Sequence, residues 1–384
     1  MAPQALSRSQ ADFFLRGLTS DPPQRADGRH LLAFRPVELD TGIAAQANGS
    51  AQIDLGGTQV YCGIKAEVTN YGDDDDDEDG EAEFQSQDDQ DSLGADSQGT
   101  GRVKCTVDYS QSLIHSFDSK QLEMLSVSLS SMVNSAFSSR SSPLPLQQLV
   151  IIANAKHWTV YIDLVVNSLS GGNLFDAAFA SIFSALYDTR IPLTRGVAFE
   201  APATLDAAGN AVSGAFENAQ GDLDQMGIKG LLKKKPKSTA TPQRKGKNPG
   251  RSKIVDFELE NSSHAGSLLA GRDELPLCIT VNILPASYLL DATVDEEACI
   301  PARVQVLASS SARVLAVRTE GSQEIPFKRI SEAVQIGSVQ AARLAQALIQ
   351  QLSLVIGDDD EDDEDDEDDP QASGARDTEM ELDS

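Results

Sequence analysis

Between residues 34 and 68 apolar side chains return on every second position: Ala51, Ile53 and Leu55, then Val60, Cys62, Ile64, Ala66 and Val68, with Gly56-Gly57 between the runs. A two-residue period gathers these side chains on one face of a pleated strand, so the stretch predicts a hairpin turned by the glycines. The ladder breaks at Asn70 and resumes at Val103, Cys105 and Val107. Leu122, Leu125, Leu129, Met132, Val133 and Ala136 then recur at helical spacing, with Asp118 and Gln121 placed as a capping box. Two β-rich runs follow, 149–153 and 159–166, leading through Gly171-Gly172 into an apolar helix that Pro192 ends. A second β-rich block covers 277–284, 288–292, 302–307 and 314–318. A helix whose stripe is Gly337, Ala341, Leu344, Leu348, Leu352 and Val355 closes the periodic part.

This order predicts a mixed α/β (α+β) protein of two sheet-plus-helix subdomains, at 25–199 and 275–356. They are flanked by an N-terminal segment at 1–24, a variable basic loop at 200–274 and an acidic tail at 357–384. Within the first subdomain an acidic insert at 70–100, rich in Gln, Ser and Gly, lacks the apolar surface needed to stay ordered.

Charge changes this picture only locally. The formal net charge is −28, but residues 358–369 are twelve consecutive acids and 73–79 are seven more, and without these nineteen the chain carries −9. The periodic body is therefore moderately acidic, and the whole-chain value says little about its ligands. The acidic tail admits two readings, a nucleic-acid mimic or a solubilising segment, of which we favour the second. Ten Lys and Arg residues fall between 229 and 253, with Lys233, Lys234, Lys235 and Lys237 followed by Arg244, Lys245 and Lys247. That run supports a nuclear import signal, RNA contact, or pairing with the acidic tail, with a solvated linker as the plain alternative.

Cys62, Cys105, Cys278 and Cys299 form no CxxC pair and lie near no histidine cluster, which predicts reduced thiols in an intracellular protein and no metal centre. No apolar leader and no run of 18 uncharged apolar residues is present, so neither secretion nor membrane spanning is expected. His157 beside Trp158 reads as a packing pair rather than a catalytic base. Asp291, Asp295, Glu296 and Glu297 are the one carboxylate cluster of the body; we expect them to be solvated rather than a metal or acid/base site.

Glycines between a strand and a helix N-terminus make an anion seat, because backbone N–H groups converge there. Here the seat is flanked by Ser170, Asn173, Leu174 and Phe175, with no Lys or Arg among them. Gly171 and Gly172 can accept an RNA phosphate through main-chain N–H groups or serve as a tight packing turn, and spacing does not separate the two.

The segments RADGRHLLAFRPVELDTGIAAQANGSAQIDLGGTQVYCGIKAEV, GGNLFDA with YDTRIP beyond its helix, and LLDATVDEEACIPARVQV resemble the RNase PH-like ring subunits of the RNA exosome. The resemblance covers roughly 25–70, 100–200 and 275–355 and implies an RNase PH fold. Active relatives are phosphorolytic 3′-to-5′ exoribonucleases with an Asp-Gly-Gly-Thr-Arg loop and an aspartate on a later strand. By resemblance, Ser170, Gly171, Gly172, Asn173 and Leu174 occupy the loop, and Arg303 falls where that aspartate stands. Phosphorolysis depends on preorganised positive charge, which this loop lacks. The resemblance therefore implies a non-catalytic subunit without a cofactor, which completes a ring and shapes an RNA path. Its implied partners are other RNase PH-like subunits, cap subunits with RNA-binding domains, associated hydrolytic nucleases and RNA, in the nucleus, nucleolus and cytoplasm and away from membranes. Arg190, Arg195 and Lys120 are candidate RNA contacts, with surface ion pairing as the alternative for the two arginines. The competing classes are an active phosphate-dependent exoribonuclease and an acidic chaperone-like protein.

Overall fold

The computed structural model describes residues 6–71, 100–137, 142–153, 155–198, 204–205, 211–212, 254–260 and 266–362. The insert at 72–99, all seven named lysines and arginines of the basic run, and the tail from 363 lie outside the described residues. An amphipathic helix α1 (Arg8–Thr19) opens the chain, capped by Ser7 and Gln10 in a reciprocal capping box. The Ser-x-x-Gln signal that starts it is present in the sequence of the N-terminal segment.

The first sheet has six strands, β1 (Val37–Thr41), β2 (Gly49–Leu55), β3 (Thr58–Asn70), β4 (Arg102–Tyr109), β5 (Val150–Ile152) and β6 (Lys156–Leu169). Their order is β1-β2-β3-β6-β4, with β5 paired to β6. The predicted hairpin is β2–β3, with Ala51 facing Cys62 and Ile53 facing Val60. All four side chains are at most 1% exposed, which is what a shared face of one pleat requires. β4 runs parallel to β6, and α2 (Gln111–Ser116) and α3 (Ser119–Ala136) lie in the crossover between them. Asp118 is the N-cap of α3 as expected, but its side chain makes no capping bond.

α4 (Leu174–Asp188) is buried on every side from Leu174 to Tyr187. A helix that is apolar or small all round has no solvent face and must be covered on all sides. It stops at Asp188, capped by Thr189, so Pro192 does not end it but sits in the next strand, β7 (Arg190–Pro192). β8 (Thr194–Ala198), β9 (Thr204–Leu205), β10 (Ala211–Val212), β11 (Ile254–Leu259) and β12 (Gly266–Leu268) follow. Because β11 pairs with β8 and β12 with β7, both ends of the segment taken as a basic loop are ribbons anchored to the body.

The second sheet, β13 (Leu277–Ile283), β14 (Tyr288–Leu290), β15 (Ala302–Ala308) and β16 (Val314–Gly321), has the order β14-β13-β15-β16 and is antiparallel throughout. α5 (Val294–Cys299) stands between β14 and β15, with Thr293 and Glu296 as its capping box. α6 (Phe327–Asp362) packs on β13 and β15, with Gly337 so close over Val306 that a Cβ there would come within 2.8 Å of the valine. The helix runs to Asp362, past the boundary at 357 that composition suggests, since an established helix extends one residue at a time. α4 lies against β2 and β3 on one side and β13 on the other, so the two subdomains share one continuous apolar core.

Candidate functional site

The turn between β6 and α4 is shaped by close approach. A Cβ on Gly171 would stand 2.5 Å from the Gly56 carbonyl, and Gly172 (φ 76°) would meet Val294 N at 2.9 Å. Asn173 follows with φ 58°, a left-handed conformation that asparagine tolerates better than most residues. Gly171 and Gly172 are therefore wedged between the β2–β3 turn and residues 292–294.

The anion expected at this helix N-terminus comes from the protein itself. Asn173 N donates to Glu297 Oε1 at 3.1 Å, and Asn173 Nδ2 donates to Asp291 Oδ1 at 3.1 Å and Asp176 Oδ2 at 3.0 Å. A carboxylate is favoured at the positive end of a helix for the same reason that a phosphate is. Asp291, fully buried just after β14, accepts from Arg29 Nη1 (2.7 Å), Arg35 N (2.7 Å), Arg35 Nε (2.9 Å) and Arg35 Nη2 (2.6 Å). Arg35 Nη1 also donates to the Gly171 carbonyl at 2.7 Å, tying the arginine to the turn. Beside this pair, Arg25 grips Glu296 through Nε (3.0 Å) and Nη2 (2.6 Å), both side chains essentially inaccessible.

These neighbours set the ionisation states. Burial alone would raise the Asp291 carboxyl, but its bonds to Arg35 outweigh that and hold it below the ordinary value. Burial raises Glu297 despite the pull of Arg303. It pushes Asp176 up to about 7, although Thr280 N (2.8 Å), Thr280 Oγ1 (2.7 Å) and Asn173 hydrogen-bond to it. Asp176 has the proton affinity of a general acid but is 1% exposed and spends its oxygens on the junction between α4 and β13. Desolvation at this helix–strand junction is the largest cause of the shift.

Two expectations are corrected. Positive charge does reach the turn, from Arg29 and Arg35 in the loop before β1; the three arginines of residues 25–35 were the available signal, but their approach depends on the tertiary fold. Asp291 and Glu296 are not solvated but are buried ion-pair partners at 0% and 1% exposure, while Asp295 is exposed. Burial is affordable because each faces a guanidinium with several donors. Arg303 lies between Glu297 (3.6 Å) and Glu320 (3.9 Å).

Next to the turn is a cleft of about 590 Å³ lined by Ser112, Ser116 and Phe117, by residues 167–170 and by residues 293–295. Asp295 is its one charged lining residue. Among the described residues no group of three or more His, Cys, Asp or Glu could hold a metal ion, and no helix is long and apolar enough to cross a membrane. All four cysteines are free thiols. His157 is buried with its ring 4.4 Å from that of Tyr71, and Trp158 is in the core.

Ser170, Gly171, Gly172, Asn173 and Leu174 thus sit together, with Arg303 joined to them through Glu297. Arg190 and Arg195 lie beyond the other end of α4, which at 15 residues spans roughly 22 Å. Arg190 is half-buried and its backbone pairs with Asn48; Arg195 is exposed on β8, and Lys120 is exposed in the first turn of α3.

A mixed sheet and an antiparallel sheet on either side of a buried helix, with a glycine turn at its N-terminus, define an RNase PH fold. Residues 33–192 match the model of the "3' exoribonuclease family, domain 1". The chain is a homologue of proteins named Rrp42. It is 21% identical to "Putative exosome complex exonuclease RRP42" of Dictyostelium discoideum over 91% of this chain and 98% of the relative. It is 30% identical to "Exosome complex component Rrp42" of Methanothermobacter thermautotrophicus over 44% of this chain and 54% of that protein. Its fold is similar to a solved structure described as "archaeoglobus fulgidus exosome with RNA bound to the active site", with TM-score 0.55 and 19% identity over 88% of this chain and 97% of that one.

Proposed function

We propose that this chain is a non-catalytic RNase PH-fold subunit of an exosome ring that supports 3′-to-5′ RNA processing and degradation from beside other RNase PH-like subunits. One observation carries the reading: the seat at the α4 N-terminus is filled by Glu297 and Asp291, and Arg29, Arg35 and Arg303 are committed to those carboxylates. Inorganic phosphate would have to displace two carboxylates that are already hydrogen-bonded, and the adjoining cleft offers it Asp295 and hydroxyls in place of cations. Electrostatic stabilisation of a phosphoryl transition state has no source there.

Binding is a different matter from chemistry. The exposed Arg195 and Lys120, and the basic run at 229–253, supply the cations that an RNA backbone or an import receptor would use, consistent with a nuclear, nucleolar and cytoplasmic protein. The purified chain, incubated with single-stranded RNA and inorganic phosphate, should release no nucleoside diphosphate, and with tagged RNase PH-like partners it should be recovered in a stoichiometric complex. Phosphate-dependent shortening of RNA by the chain alone would overturn the non-catalytic assignment.

A further inference from the structure

Between α3 and the second sheet lies a groove of about 660 Å³, large enough to take a small organic molecule. Its deep wall is formed by the buried Met132 and Leu307, and its rim by the exposed Met124 and Val127. Methionine side chains are unbranched and polarizable, so they adapt to a flat guest. Of the polar groups that line the groove, one stands apart. Gln305 of β15 is 1% exposed, and among the described residues neither its Nε2 nor its Oε1 has a hydrogen-bond partner. A buried amide left so carries the desolvation penalty of both atoms, relieved only when a donor and an acceptor arrive together. Its neighbours across the sheet are satisfied. Thr280, opposite Gln305 on β13, donates its hydroxyl to Asp176 at 2.7 Å, and Arg318, opposite on β16, donates to Ser128 across the groove.

We propose that this groove is a binding site for a small, neutral, planar ring compound with a cis-amide edge, a lactam, whose N–H donates to Gln305 Oε1 and whose carbonyl accepts from Gln305 Nε2. The pairing follows from the shape of the amide. A primary carboxamide presents an oxygen and an N–H on the same edge, so its complement carries a donor and an acceptor side by side. A trans peptide bond points its N–H and C=O in opposite directions and meets only one of the two. Charge supplies the second requirement. Glu123 and Arg318, the groove's charged lining residues, are of opposite sign, so neither a carboxylate nor a phosphodiester chain gains from entering. Water entering the groove finds the amide set against an apolar wall, and a ring that takes over the amide while covering Met132 and Leu307 gains on both counts.

The test is isothermal titration of the purified full-length chain with the lactam carbostyril and with N-methylcarbostyril, which lacks the N–H donor. Carbostyril should bind about tenfold or more tightly than the methylated compound, the difference that two buried hydrogen bonds make. Gln305→Leu should erase that preference and, because it removes an unpaired buried amide, should melt at or above the wild-type temperature. Ala316→Trp, at an exposed position lining the groove, fills it without touching the core and should abolish carbostyril binding in a folded chain. Absence of carbostyril binding, equal affinity for the two compounds, or binding unchanged in Ala316→Trp overturns the site. A Gln305→Leu chain that melts well below wild type shows the amide to be partnered within the protein and overturns it too. Single-stranded RNA that binds where carbostyril does not, and is lost with Ala316→Trp, assigns the groove to nucleic acid instead. None of these outcomes bears on the non-catalytic reading, which concerns the other end of the molecule's glycine turn and its carboxylates.

Discussion

Replacing Asp291 tests whether the carboxylate network is a structural lock. Asp291 accepts five hydrogen bonds, from Arg29 Nη1, Arg35 N, Arg35 Nε, Arg35 Nη2 and Asn173 Nδ2, and is itself fully buried. Removing one member of a buried charge pair destabilises by about 3–5 kcal/mol, because the other member is left uncompensated. The side chains of Arg29 and Arg35 are only 16% and 11% exposed, so solvent cannot replace what they lose. The backbone adds a second contribution, since φ at this position is 44°. Alanine there incurs roughly 1–2 kcal/mol more, whereas asparagine tolerates the conformation. Asp291→Asn should therefore lose about 3–4 kcal/mol and Asp291→Ala about 5 kcal/mol, the difference isolating the backbone from the charge. Urea titration at pH 7, followed through the single tryptophan, Trp158, which is buried at 7% exposure, gives both values. The native carboxyl is held below 3.8, so its contribution is fully present above that pH and is lost as pH falls through the native value. The gap between wild type and Asp291→Asn should close in acid accordingly. An Asp291→Asn variant within 1 kcal/mol of wild type at pH 7 would refute the lock.

The Asp176 carboxyl works in the opposite sense: raised from 3.8 to about 7, it keeps in the folded state a proton that the unfolded chain releases, so its contribution to stability falls as pH rises through that window. The fall is roughly 4 kcal/mol at about 1.4 kcal/mol per pH unit, and a wild-type stability profile from pH 4.5 to 8 that matches that of Asp176→Asn would exclude it. Gly171→Ala drives a Cβ to 2.5 Å from the Gly56 carbonyl, a backbone atom that cannot swing away, and should lower the melting temperature by several degrees through a loss of about 2 kcal/mol. Glu297→Ala frees Asn173 N and one side of Arg303, so equilibrium dialysis should find more inorganic phosphate retained than by wild type; equal retention would show that the helix terminus is not an anion seat.

The strands and helices with strict periodicity were legible because burial on one face leaves its period in the residues. The β2–β3 hairpin, α3 and the stripe of α6 are of this kind. α1 and α5 are short, and their one local signal in the residues is a reciprocal capping box. The strands that pair both ends of the 200–274 segment with β7 and β8 have no period long enough to register. At the site, the neutral glycine turn was legible because it is contiguous. The arginines that reach it were not, because Arg29 and Arg35 meet Asp291 across more than 250 positions of chain.

The amino-acid order by itself determined that the seat at α4 carries no cation of its own, that α4 has no polar face, and that the glycine turn joins a strand to a helix. Only the tertiary structure decided that Asp291 and Glu297 would fill the seat and that three arginines would be neutralised beside it. Periodicity and capping are properties of neighbours along the chain, whereas the electrostatics of a buried site are set by which distant charges the packing brings within hydrogen-bond range, where weak solvent screening makes each pairing decisive.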